Sequence, residues 1–177
     1  SPNSFYQVNR AMAQKLYEKA GDYADAEGKT VIDLYCGTGT IGLTMAKKAK
    51  KIIGVEIVKS AVNDAVINAK ENGINNAEFI CADAKEAVIT LKEKNEMPDV
   101  VILDPPRKGC DETVLKTVAN GFSPQRIVYV SCNPATLARD IKILGEYNYK
   151  LIKYKPFDLF PRTTHVETVA LLIKNIK

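Results

Sequence analysis

Little in this sequence invites a metal centre or a disulfide framework. Its 177 residues hold one histidine, His165, and four cysteines, Cys36, Cys81, Cys110 and Cys132, which are far apart and form no CxxC pair. A small secreted scaffold would carry more cysteines in a shorter chain, and a zinc site would want close cysteine pairs with histidine. Reduced thiols, a cytoplasmic setting and no metal are therefore expected. Long apolar runs are missing too. None approaches the roughly 20 residues that cross a bilayer as a helix, and the opening SPNSFYQVNR lacks the apolar core of a secretory signal. Neither sign of charge dominates, since 25 Lys and Arg stand against 21 Asp and Glu. The net charge of +4 permits a polyanionic partner without requiring one.

What is present is the balance of an ordinary globular domain. Hydrophobic residues make up 46% and charged residues 26%, and the length suits one core rather than two. Short β-branched runs alternate with longer helical patterns, which predicts a parallel sheet flanked by helices. Strands are expected near Thr30–Leu34, Lys51–Glu56, Ala77–Cys81, Asp99–Asp104 and Arg126–Ser131. Helices are expected near Gly42–Ala49, Lys59–Asn72, Ala84–Lys94, Glu112–Ala119 and Ala135–Tyr147. VIDLY, VVILD and IVYVS are nearly continuous apolar runs, as befits strands covered on both faces. Lys150–Tyr154 and Val166–Ile173 read as an antiparallel pair closing one sheet edge. Val8, Met12, Leu16 and Tyr17 give Gln7–Ala20 the spacing of a covering helix. The lysines at 47, 48, 50 and 51 read as a solvated helix end rather than as a nucleic-acid patch.

The first strand runs into Gly37-Thr38-Gly39-Thr40-Ile41-Gly42, and Glu56 ends the second. Glycines let backbone approach a ligand, and the helix that follows offers its N-terminal N–H groups. An acid at the end of strand two can accept from ribose hydroxyls. A nicotinamide dinucleotide fits this description, and so does S-adenosylmethionine. Asp33 can hold the loop backbone or meet an ammonium. Asp83 can accept from an adenine amino group, cap a helix, or do both. Acids at successive strand ends line the crevice where ligands of open sheets bind.

Strand four ends in Asp104-Pro105-Pro106-Arg107-Lys108-Gly109, where two prolines stiffen the chain at the sheet edge and two cations follow. Strand five ends in Ser131-Cys132-Asn133-Pro134, and a free cysteine beside a cationic loop is where a nucleophile would sit. Cys36 and Cys81 at strand ends, and Cys110 after a loop glycine, read as buried packing thiols. By alternation His165 and Glu167 face one side of the last strand, and Glu167 can serve as a general base if its surroundings lift its pKa.

Read together, these motifs resemble the catalytic domain of the RNA uracil-5-methyltransferases. The matching stretches are SPNSFYQVN, DLYCGTGTIGL, GVEIV, INAKENGI, DPPRKGCD, YVSCNPATLARD and DLFPRTTHVETVALL, running from residue 1 to about 172. The resemblance implies an α/β, Rossmann-like seven-stranded methyltransferase fold with sheet order 3-2-1-4-5-7-6 and an antiparallel seventh strand. It implies S-adenosyl-L-methionine as cofactor, contacted by Gln7, Tyr35, Thr40, Glu56, Asp83 and Asp104. Cys132 takes the position of the family's nucleophile and Glu167 that of its base. Tyr35 stands where the wider class of methyltransferases carries glycine. RNA is the implied partner, with 23S rRNA favoured over tRNA by the DPPRKGCD and FPRTTHVE stretches. Members of the family carry further RNA-binding segments, so this chain reads as a single catalytic domain cut from a longer enzyme. An amino-directed base methyltransferase, a nicotinamide-dependent oxidoreductase and a non-catalytic RNA-binding module stand as alternatives.

Overall fold

The computed structural model describes residues 10–159 and 166–176. Seven strands form one sheet: β1 (Thr30–Leu34), β2 (Lys51–Glu56), β3 (Ala77–Cys81), β4 (Val100–Leu103), β5 (Arg126–Ser131), β6 (Tyr149–Phe157) and β7 (Glu167–Lys174). Their order is β3-β2-β1-β4-β5-β7-β6. The first five run parallel, and β7 runs antiparallel to both β5 and β6. Six helices cover the sheet: α1 (Arg10–Ala24), α2 (Thr40–Met45), α3 (Lys59–Glu71), α4 (Ala84–Glu93), α5 (Glu112–Lys116) and α6 (Pro134–Glu146). Among the described residues no helix is long and apolar enough to cross a membrane.

The period-two alternation of strand side chains divides the core into two layers. Ile32, Leu34, Ile53, Val55, Val101, Leu103, Ile127 and Tyr129 point to the face covered by α4, α5 and α6. Val31, Ile52, Val100, Ile102, Val128 and Val130 point to the opposite face, beneath α1 and α2. Burial on both faces is why these strands are apolar throughout. The outer strands differ. On β6, Lys150, Ile152, Lys153, Tyr154 and Lys155 are exposed, and lysines on an edge discourage pairing with another chain.

The strands fall close to where the sequence places them, whereas three helices depart from their expected bounds. α2 stops at Met45, so Lys47, Lys48 and Lys50 lie in the exposed turn beyond it. Lys51 is not part of a free basic patch, because it pairs with Glu78 at 3.2 Å and Glu96 at 3.0 Å. The expected single helix Glu112–Ala119 widens after Lys116 into a π-helical segment, Thr117–Phe122. Asn120-Gly121 propagate a regular helix poorly, and the wider turn leaves Val118, Ala119 and Phe122 all buried. α1 ends four residues later than expected and buries Leu16, Ala20, Tyr23 and Ala24; Val8 lies outside the described residues.

Candidate active site

The glycine turn at the end of β1 is held by carboxylates accepting backbone hydrogen bonds. Gly37 N donates to Glu56 Oε2 at 3.0 Å and Val58 N to Glu56 Oε1 at 2.9 Å, which fixes the acid at the mouth of the crevice. Gly42 N donates to Asp33 Oδ2 at 2.9 Å. Gly37 and Gly39 have φ of 55° and 80°, a region that L side chains rarely adopt. A Cβ on Gly42 would stand 2.9 Å from Asp33 Oδ2, so only glycine lets the helix come this close to the strand. Tyr35 adopts φ of 62° without being glycine. Its ring packs on the core covered by α4, α5 and α6.

Asp83 caps α4, its Oδ1 accepting from Lys85 N at 2.9 Å, and it is exposed at the end of β3. Thr40 opens α2, with its hydroxyl 3.2 Å from that of Thr38. Asp104 follows β4 with its backbone N on Leu34 O, at the centre of the crevice.

Antiparallel pairing completes the other half. Because β7 opposes β5, Thr168 pairs with Ser131, which sets Glu167 at the start of β7 against Cys132 at the end of β5. Parallel topology would have sent the start of that strand to the far side of the sheet. Ser131 Oγ donates to Asn133 O at 2.9 Å and accepts from Asn133 N at 3.0 Å, closing a tight turn around Cys132. Asn133 then caps α6 through Oδ1, with Pro134 in the first helical turn.

The chain is similar to known proteins over nearly its whole length. A family model described as tRNA (Uracil-5-)-methyltransferase matches residues 1–175. The chain belongs to that family. A relative from Staphylococcus epidermidis named "Uncharacterized RNA methyltransferase" is 51% identical over 172 residues, covering 97% of this chain and 37% of the relative. Another of the same name from Clostridium tetani is 49% identical, again covering 97% and 37%. The chain thus spans little more than a third of the length of these relatives. The tRNA (uracil-54, C5)-methyltransferase of Pyrococcus abyssi, solved in complex with S-adenosyl-L-homocysteine, superposes with a TM-score of 0.83 at 37% identity. The match covers 97% of this chain and 41% of that one. The magnesium protoporphyrin IX methyltransferase of Synechocystis, 16% identical with a TM-score of 0.72 over 95% of this chain and 82% of its own, shares the fold. The fold is the seven-stranded one of the S-adenosylmethionine-dependent methyltransferases.

Electrostatics in this member of the family bear on the two ligands that the glycine loop leaves open. Burial, with Glu56 nearby, pushes Asp33 up to about 7 despite the Gly42 N–H. Burial, with Asp33 and Glu167 adding to it, pushes Asp104 up to about 8. Glu167 is also raised, by burial. Asp33 Oδ1 is buried with no hydrogen-bond partner. A crevice of crowded carboxyls repels a pyrophosphate and favours a cation. S-adenosylmethionine carries a sulfonium and an ammonium, so the residues present fit it. Each Glu56 oxygen retains a lone pair for a ribose hydroxyl.

One of the thiols differs from expectation. Cys81 is exposed rather than buried, its thiol 3.6 Å from Ile57 O, because β3 is an edge strand. Cys132 is half-buried, and its pKa is raised, first by desolvation and then by Glu167. Arg107 works the other way but does not prevail, so the cationic loop moderates the thiol without making it acidic. Cys36 and Cys110 are buried, as read.

Gln7 and His165 lie outside the described residues. Tyr35, Thr40, Glu56, Asp83, Asp104, Cys132 and Glu167 all stand on the crevice side of the sheet, where strand ends converge. Tyr17 reads in the sequence as part of the apolar face of the covering helix, yet α1 brings it towards Asp104 and Glu167, and its own burial and then their charges raise its phenol. No local spacing signals that encounter, since it depends on how α1 crosses the sheet.

Proposed function

We propose that this chain transfers a methyl group from S-adenosylmethionine to C5 of a uridine in RNA, with Cys132 as nucleophile and Glu167 as base. The juxtaposition of these two side chains by the β5–β7 register is the observation that carries the reading. Bound S-adenosylmethionine supplies an electrophilic methyl to carbon and leaves as S-adenosylhomocysteine. Uracil C5 is too weak a nucleophile to take that methyl unaided. Cys132 Sγ, as thiolate, adds to C6, and the C5–C6 π pair moves onto C5 and the O4 enolate. C5 then has the electron pair that forms its bond to the methyl. Glu167 removes the remaining C5 proton, the C5–C6 double bond re-forms, and the C6–S bond breaks to return the thiolate. A carboxyl raised by burial is suited to that proton. Asp104 holds the reacting groups in place from the end of β4. The uridine must be unpaired or flipped out, because a stacked base offers no face to the thiol.

Two RNA substrates are consistent with these residues. Ribosomal RNA, 23S in particular, is the first reading, supported by the DPPRKGCD and FPRTTHVE stretches. Transfer RNA is the second, supported by the similarity to the tRNA (uracil-54, C5)-methyltransferase of P. abyssi at 37% identity. Incubation with S-adenosylmethionine and each RNA carrying 5-fluorouridine tests the route, because fluorine at C5 cannot leave as a proton. The expected result is a covalent protein–RNA adduct in intact-mass spectra that disappears in Cys132→Ala. An RNA that is methylated as uridine but gives no fluorouridine adduct would overturn covalent catalysis.

A further inference from the structure

The segment after Cys132, NPATLARD, is more heavily bonded than a helix start needs to be. Asn133 Nδ2 donates to Arg107 O at 3.2 Å and Thr136 Oγ1 to the same oxygen at 3.1 Å. One turn later, Arg139 Nη2 donates to Lys108 O at 3.0 Å and to Cys110 O at 3.3 Å. Asp140 is fully buried, and Arg139 Nε donates to its Oδ1 at 2.8 Å. Its Oδ2 accepts from Cys110 N at 2.8 Å and from the Tyr129 hydroxyl. The first turns of α6 therefore engage the backbone of the loop from Arg107 to Cys110 at four of its polar groups.

The loop is shaped to receive this grip. Gly109 has φ of 78°, and a Cβ there would lie 2.5 Å from Arg139 Nη2 and 2.7 Å from Asp140 Oδ2. Gly109 N closes a turn on Pro106 O at 2.8 Å. Side-chain bonds to backbone carbonyls fix where a loop runs, not merely that it is covered. The residue so placed is Arg107, whose carbonyl is 3.2 Å from the side chain of Asn133, next in the chain to Cys132, and whose charge opposes those of Glu167 from β7 and Asp104 from the end of β4 at the thiol. Tyr17 on α1 faces the same two carboxyls.

We infer that Thr136 and Arg139 are positioning residues, holding the Arg107–Cys110 loop so that the Arg107 guanidinium stands beside the Cys132 thiol. Neither touches a reacting atom. The nucleophile and the cation that favours its thiolate belong to different strand ends, and α6 is the splint between them. The inference rests on Cys132 being the nucleophile, but its test does not.

The test is alkylation of Cys132 by iodoacetamide across pH 7–10 in the folded chain without cofactor, followed peptide by peptide in mass spectra. Exposed Cys81 serves as the internal reference. Arg107→Gln should raise the midpoint of the Cys132 profile and slow its reaction at pH 8 by about three- to tenfold. Arg139→Lys keeps the charge but loses the fork, and should slow it by about threefold. Thr136→Val leaves no buried charge unpaired, so it covers the case in which Arg139→Lys fails to fold, and should slow it by about twofold. The double variant Arg107→Gln/Arg139→Lys should be no slower than Arg107→Gln alone, because the second change acts through the first. Cys81 should react at an unchanged rate throughout. Profiles of Arg139→Lys and Thr136→Val that superpose on the parent, an unshifted Arg107→Gln, or an additive double variant would each overturn the inference. Retention of methyl transfer by Cys132→Ala would instead remove the proposed mechanism, and the alkylation profiles would still judge the splint.

Discussion

The two halves of the crevice are built by different means. At the ends of β1 and β2 the acids Asp33 and Glu56 are locked by backbone N–H groups, and glycines bring helix and strand into contact. At the ends of β4, β5 and β7 the acids Asp104 and Glu167 are held by position and burial, beside a thiol whose protonation they oppose losing. The first half is a cradle whose acids each accept backbone N–H groups, although Asp33, buried with one oxygen unpartnered, is itself pushed up to about 7. The second is a set of groups whose proton affinities are lifted towards neutrality, the condition for moving protons at physiological pH. On the proposed function, binding and chemistry sit on adjacent strand ends with separate supports, and substitutions should sort accordingly.

The largest effect should come from the second half. Cys132→Ala should lower methyl transfer by at least about a thousandfold, since the covalent step has no substitute, while the cofactor's affinity by calorimetry stays as in the parent. Glu167→Gln should lower turnover by about a hundredfold or more. With the C5 proton retained, it should also accumulate a methylated protein–RNA adduct on ordinary uridine, visible by intact mass. If either variant weakened cofactor binding in step with turnover, the division between the halves would fail.

In the first half the expected order is reversed. Gly42→Ala puts a methyl 2.9 Å from Asp33 Oδ2 and 3.1 Å from Ile52. Overpacking of this kind costs about 1–3 kcal/mol. Thermal unfolding should show the loss directly, and the cofactor's affinity should fall with it because the glycine turn moves. Cys132 alkylation should be unchanged. A variant that kept its melting temperature would mean that α2 slides freely on β1, and the cradle would not be rigid.

How much of this was legible in the sequence follows from the same division. The contacts that make the cradle are close in the chain, Asp33 to Gly42 and Gly37 to Glu56, so strand, glycine turn and acid could be read from spacing alone. The strand ends were found for the same reason, since each apolar run stops at a turn residue. The proposed catalytic pair is separated by 35 positions, from Cys132 to Glu167, and meets only through an antiparallel register that no local pattern announces. Only the resemblance of whole motifs pointed to it. Arg139 and Asp140 stood inside one of those motifs without a role, because the backbone they hold lies some thirty residues upstream. The upward shift at Cys132 was not legible for a related reason. The cations were visible as neighbours in sequence, and the carboxyls that outweigh them arrive from other strands.

The smallest effect is also the sharpest probe of the boundary between the halves, and it concerns Asp104. Its carboxyl is pushed up to about 8, and that of Asp33 to about 7, so below that range the crevice holds protons that an ordinary carboxyl would have released. A bound cation favours the ionised form, so binding must expel proton, and affinity must rise with pH until the carboxyls are ionised without help. S-adenosylmethionine and S-adenosylhomocysteine differ here by the sulfonium charge, and their ammonium and carboxylate groups cancel in a ratio. From pH 6.5 to 8.5 the ratio of their affinities should therefore move about three- to tenfold towards S-adenosylmethionine. Asp104→Asn should flatten that change while leaving the affinity for S-adenosylhomocysteine within about twofold. A ratio independent of pH in the parent would place the sulfonium away from Asp104, and the charge that favours the cofactor would have to come from the cradle alone.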